Sequence, residues 1–122
     1  MPGANGRVVL VVEDDQSVRR PLVKFLELHD FTVMAAETVD EGLEVISQHE
    51  LAAAIVDLRL RRGSGRDLVN RIHTPVPVII FSGVPSESGE LERLRPNTRL
   101  FEKPYSLVHL VAALEEMLGE VA

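Results

Sequence analysis

The apolar residues of this chain come in short unbroken runs rather than in alternation, and that limits its possible folds more than any other feature. Val8–Val12 reads VVLVV, Leu51–Val56 reads LAAAIV and Val76–Phe81 reads VPVIIF. A strand with one wet face alternates apolar and polar residues, whereas a strand covered on both faces need not. Stretches with helical spacing lie between the runs. Val18, Leu22, Phe25 and Leu26 make a stripe within Ser17–His29, and Val39, Leu43 and Ile46 make another. Leu107, Leu110, Val111, Leu114 and Leu118 mark a final helix. Pro21 is read in the first turn of the first helix, where a missing N–H is tolerated. Thr38 and Glu41 have the spacing of a capping box. Phe31–Ala35 and Thr98–Phe101 complete a set of five strands, and Gly63-Ser64-Gly65 breaks the chain before a short helix carrying Leu68, Val69 and Ile72. One weak helix, around Glu90–Leu94, is expected inside the polar stretch 84–98. Strands alternating with helices require a doubly wound α/β fold, with a five-stranded parallel sheet and right-handed crossovers covering both faces.

Composition agrees with one such domain. The chain has 122 residues, 45% of them apolar and 26% charged, enough to bury a core. Residues 1–6 are read as a disordered lead-in and 7–120 as the domain. With no cysteine, disulfides and thiolate metal sites are excluded. A net charge of −6 argues against direct nucleic-acid binding. No apolar run approaches the roughly 20 residues of a membrane span, and the start does not read as a signal peptide, so a cytoplasmic location is expected.

In a doubly wound sheet, ligands bind beyond the carboxyl ends of the strands. The first strand ends in Glu13-Asp14-Asp15, the third in Asp57, the fourth in Ser82 and the fifth in Lys103-Pro104. Clustered carboxylates repel unless a cation lies between them. A hard cation with oxygen ligands, Mg²⁺ before others, meets that need. A carboxylate among a divalent ion, an ammonium and a hydroxyl is equipped to accept a phosphoryl group. Taken singly, each residue has a plainer role: a solvated acidic loop, a helix cap at Asp57, a turn at Ser82-Gly83, an exposed Lys103. Their joint placement at one rim outweighs those readings. His29, His49, His73 and His109 are spread apart with no metal spacing and are expected to be solvated. Arg61, Arg62 and Arg66 are read as a solvated loop before a steering patch.

Val12-Glu13-Asp14-Asp15, Val56-Asp57-Leu58, Ser82-Gly83 and Lys103-Pro104 resemble the signature of response-regulator receiver domains, across about residues 7–120. The resemblance implies the flavodoxin-like (βα)₅ fold with strand order 2-1-3-4-5. It implies Asp57 as phospho-acceptor, Glu13, Asp14, Asp57 and the Arg59 carbonyl as ligands of Mg²⁺ (or Mn²⁺), and Ser82 and Lys103 at the phosphoryl group. Asp15 falls one place after the acidic pair, with a water-mediated metal contact as its alternative role. The family also leads us to expect a cis bond at Lys103-Pro104.

Three departures from the family stand out. Leu100 occupies the position, three before the lysine, where an aromatic ring usually couples to the hydroxyl residue, so that switch is in question. Arg61 replaces a common proline. The segment after Ser82 is rich in Pro, Ser and Glu. The resemblance leans toward stand-alone or hybrid-kinase receivers. By the same resemblance, Arg59 and Val84 stand at the positions expected to flank the path of attacking water; neither suits orienting it, so slow loss of the phosphoryl group is expected. The implied partners are a histidine kinase or histidine phosphotransfer protein as donor and a downstream protein as target, with homodimerisation left open. The output is expected through a partner or a further part of a longer chain. The chain is thus read as a phosphorylated switch and not a turnover enzyme. Two alternatives compete: a degenerate receiver that only docks, and an aspartyl-nucleophile phosphatase. The second lacks a general acid, because Arg59 stands where that class has its second aspartate.

Overall fold

A computed structural model describes residues 8–60, 63–73, 75–82, 97–102 and 105–121. The elements in chain order are β1 (Val8–Val12), α1 (Gln16–Leu28), β2 (Thr32–Ala36), α2 (Val39–Gln48), β3 (Ala53–Asp57), α3 (Gly65–Asn70), β4 (Val78–Ser82), β5 (Thr98–Glu102) and α4 (Leu107–Val121). The strands form one five-stranded sheet in the order β2-β1-β3-β4-β5, and every neighbouring pair is parallel. The expected fold and strand order are both present. The expected helix around Glu90–Leu94 lies outside the described residues.

The unbroken apolar runs are explained by a core on each side of the sheet. Val9 and Val11, Ala53 and Ile55, and Ile79 and Phe81 point to one face, where they meet Leu22 and Leu26 of α1 and Leu110, Val111, Leu114 and Met117 of α4. Leu10 and Val12, Ala54 and Val56, and Val78 and Ile80 point to the other, with Leu68 and Val69 of α3 and the half-buried stripe of α2. Each fully buried Leu, Ile or Phe contributes about 1.5–3 kcal/mol by leaving water.

Side chains set the helix starts. The Asp15 carboxylate accepts from the Ser17 N–H at 2.9 Å, so α1 begins at Gln16, one residue before the start expected from the stripe. Pro21 is the sixth residue of α1 and lies in its second turn, not the first; its ring leaves the Ser17 carbonyl without the usual helical donor. Thr38 Oγ1 accepts from the Glu41 N–H at 3.1 Å, as expected of a capping box. The return bond differs: Glu41 Oε1 accepts from the N–H of Glu37, at 2.7 Å, rather than from that of Thr38. Ser64 caps α3 through the Asp67 N–H at 3.3 Å. Among the described residues, no helix is long and apolar enough to cross a membrane.

Candidate functional site

Sheet register assembles the site. Val12 pairs with Val56, so the next residues, Glu13 and Asp57, emerge side by side at the carboxyl edge. Asp57 pairs with Phe81 and Ser82 with Glu102, which brings the ends of β4 and β5 to the same rim. One ligand oxygen from each of Glu13, Asp14 and Asp57 can be chosen so that all lie within 4.8 Å of one another. Glu13 and Asp57 are buried, at 0% and 3% exposure, and Asp14 is half-buried. Among the described residues this is the one cluster of histidine and carboxylate side chains close enough to share a metal ion. An all-oxygen set, buried on one side and open at Asp14, fits a hard divalent cation such as Mg²⁺. The fit rests on like charges gathered where water is scarce, which a cation relieves.

The main chain holds these carboxylates in place. The Glu13 N–H donates to the Ala36 carbonyl at 3.1 Å, extending the β1–β2 ladder past β1. Glu13 Oε2 accepts from the Asp15 N–H at 3.1 Å. Asp57 Oδ1 accepts from the Arg59 N–H at 2.9 Å, a turn that aims the carboxylate back across the strand end. Gly65 is needed close by: a Cβ there would lie 2.3 Å from the Asp57 carbonyl oxygen and 2.7 Å from Leu58 Cα, both backbone atoms. The first residue of α3 thus packs directly on the peptide that follows Asp57.

The other expected site residues fall as follows. Asp15 is turned to the cap of α1, its Oδ1 accepting from the Ser17 N–H and from Ser17 Oγ at 2.7 Å. That is the plainer reading of the acidic triplet's third member, and Asp15 is not in the cluster. Arg59 is exposed beside Asp57. Leu100 is half-buried on the α2–α3 side of the sheet. Ser82 ends β4. Lys103, Pro104, Val84, Arg61 and Arg62 lie outside the described residues, and with them the expected cis bond. The four histidines are exposed, as expected.

Sequence reading missed two residues. Arg19 reaches back from α1 to the Glu13 carbonyl, at 2.8 Å. Tyr105 stacks on Phe81, with ring centroids 4.3 Å apart and planes inclined by 14°. Burial first, then the negative charges of Glu13 and Asp57, push its phenol well above the usual value near 10, so the hydroxyl stays protonated beside the acidic cluster. The available signal was its place two residues after Lys103, at the same rim.

Comparison with known proteins agrees with this geometry. Residues 9–115 match the model of the response regulator receiver domain, and the chain belongs to that family. It is 38% identical over 116 residues to the acid tolerance regulatory protein ActR of Rhizobium meliloti, covering 92% of this chain and 60% of that protein. It is 33% identical over 113 residues to the KDP operon transcriptional regulatory protein KdpE of Escherichia coli, covering 90% and 50%. The chain thus spans about half the length of the curated relatives it matches. In fold it is similar to a receiver protein from Sinorhizobium medicae, with a TM-score of 0.84, 16% identity and 95% and 97% of the two chains covered. A CheY-like receiver domain from Methanospirillum hungatei gives 0.84 at 24% identity, with 94% and 95% covered. Receiver domains are modules of two-component signalling, and this chain is one of them.

Proposed function

We propose that Asp57 accepts a phosphoryl group from a phospho-histidine on a kinase or phosphotransfer protein, and that the phosphorylated domain signals to a protein target in the cytoplasm. The observation that carries this reading is the convergence of Glu13, Asp14 and Asp57, with ligand oxygens within 4.8 Å, at the carboxyl edge of a receiver sheet. A carboxylate oxygen of Asp57 forms the O–P bond as the N–P bond to the donor imidazole breaks, and the imidazole leaves with the electron pair. Mg²⁺ (or Mn²⁺), when held by Glu13, Asp14, Asp57 and the Arg59 carbonyl, supplies positive charge against the phosphoryl oxygens. In this reading Lys103 neutralises a further oxygen and the Ser82 hydroxyl donates to another. The Arg59 side chain and Val84 flank the phosphoryl group and slow its hydrolysis. The new charge, about −1.5 to −2, then shifts the population of the domain's conformations. The protein is a switch rather than a turnover enzyme.

The test is incubation with Mg²⁺ and acetyl phosphate, followed by the intact mass. One added phosphoryl group, absent in Asp57→Asn and without EDTA-resistant residue, is the expected result. Release of phosphate without accumulation would indicate a phosphatase, and no reaction a docking module.

A further inference from the structure

Arg19 is the one arginine of α1 that turns back toward the site. Long helical side chains lean toward the helix N-terminus, and this one spans two loops. Nη1 donates to the Glu13 carbonyl at 2.8 Å and Nη2 to Glu37 Oε1 at 2.8 Å. Its side chain is 12% exposed against 59% for Glu37, so the shielded end of the bridge is the one at Glu13. The Glu13 peptide is thereby gripped on both sides: its N–H by Ala36 of β2, its C=O by Arg19. That carbonyl lies in the plane of the peptide bond joining Glu13 to Asp14. Holding it sets the direction from which both carboxylates leave the chain.

We propose that Arg19 is a positioning residue for the acidic pair, fixing the Glu13–Asp14 peptide so that both carboxylates meet a divalent cation together with Asp57. This rests on the metal reading given above. Charge and position make opposite demands here. A guanidinium near a divalent site repels the cation, so if charge were its whole effect, removing it would tighten binding. If Arg19 holds the ligands, removing it weakens binding; losing a partner behind a metal ligand costs about 10–100-fold in affinity. Lysine keeps the charge but offers a single ammonium that cannot reproduce the planar two-ended bridge.

The experiment follows amide shifts of the whole chain during titration with MgCl₂, for wild type, Arg19→Met, Arg19→Lys and Glu37→Gln. Circular dichroism checks that each is folded. Both Arg19 variants are expected to bind Mg²⁺ about 10-fold more weakly or worse. Glu37→Gln, which keeps an oxygen acceptor for Nη2, stays near wild type. A second readout needs no metal: the Asp15 N–H, bonded to Glu13 Oε2 at 3.1 Å, exchanges faster with solvent in both Arg19 variants. Mg²⁺ binding as tight as or tighter than wild type in Arg19→Met, with Asp15 exchange unchanged, overturns the proposal. If Arg19→Met does not fold, Arg19→Lys decides by the same two readouts. A wild-type chain blind to Mg²⁺ overturns the metal reading, and Asp15 exchange then still decides whether Arg19 holds Glu13.

Discussion

The two sides of the sheet are built from different materials. On the α1–α4 side lie Phe25, Phe31, Phe81, Phe101 and Tyr105, which are all the aromatic residues of the chain. The α2–α3 side holds aliphatic residues only, Leu100 among them. Its helices instead approach closely through glycine. A Cβ on Gly42 would meet Leu68 at 3.1 Å and Val12 at 3.3 Å, and one on Gly65 would strike the backbone after Asp57. On the other side, Gly119 of α4 has nothing within 4 Å of a Cβ. Large rings fill the space between sheet and helix on one side; absent side chains remove that space on the other. Asp57 sits at the boundary, with the stacked Phe81–Tyr105 pair on one flank and a bare backbone contact with Gly65 on the other.

Substitutions can break this contrast. The largest effect is expected from Phe81→Ala, which empties the centre of the aromatic side and removes the stack with Tyr105. About 3–5 kcal/mol of stability should be lost, read from denaturant unfolding. Next comes Gly65→Ala. Its Cβ cannot be accommodated without moving the Asp57–Leu58 backbone, so about 1–3 kcal/mol should go, together with most of the phosphorylation rate from acetyl phosphate. Gly119→Ala on α4 should instead stabilise by up to about 1 kcal/mol, since alanine is the better helix former. A gain at Gly65 matching the gain at Gly119 would erase the distinction drawn between the two sides.

A smaller effect concerns Thr98, whose buried hydroxyl has no hydrogen-bond partner among the described residues. Thr98→Val keeps the shape and removes the unsatisfied group, and should be neutral or raise stability by up to about 1 kcal/mol. The smallest effect at neutral pH is expected from Tyr105→Phe, which keeps the ring stack. Its signature lies at high pH. The Tyr105 phenol is raised in the folded state, so its contribution to stability is whole below pH 10 and is lost as pH climbs above that toward the folded value. Wild type should therefore lose stability above pH 10 faster than Tyr105→Phe. Because Tyr105 is the chain's single tyrosine and there is no tryptophan, tyrosinate absorbance reports on it alone. Ionisation at the ordinary phenol value with the fold intact would contradict its burial beside Glu13 and Asp57.

Much of this molecule is legible in the sequence because it depends on short-range pattern. Unbroken apolar runs announce strands covered on both faces, and residues at strand ends announce the site, so Glu13, Asp14 and Asp57 can be named before any coordinates. Element starts are less legible. Asp15 serves the helix because its carboxylate turns to both the N–H and the hydroxyl of Ser17, and that cap starts α1 at Gln16, one residue before the stripe suggests. The capping box at Thr38 was readable from spacing, but its return bond to Glu37 was not.

Tertiary structure decided what depends on register and on the path of long side chains. The pairing of Val12 with Val56 makes neighbours of Glu13 and Asp57, although more than forty residues separate them in the chain. The reach of Arg19 to Glu13 and Glu37, the stacking of Tyr105 on Phe81 and the sorting of every ring to one side of the sheet have no local signature. A strand run or a helix stripe says which residues are buried, since that follows from periods of two and 3.6. Which buried residues meet is set by how the strands align, and that is fixed only when the whole sheet closes its two cores at once.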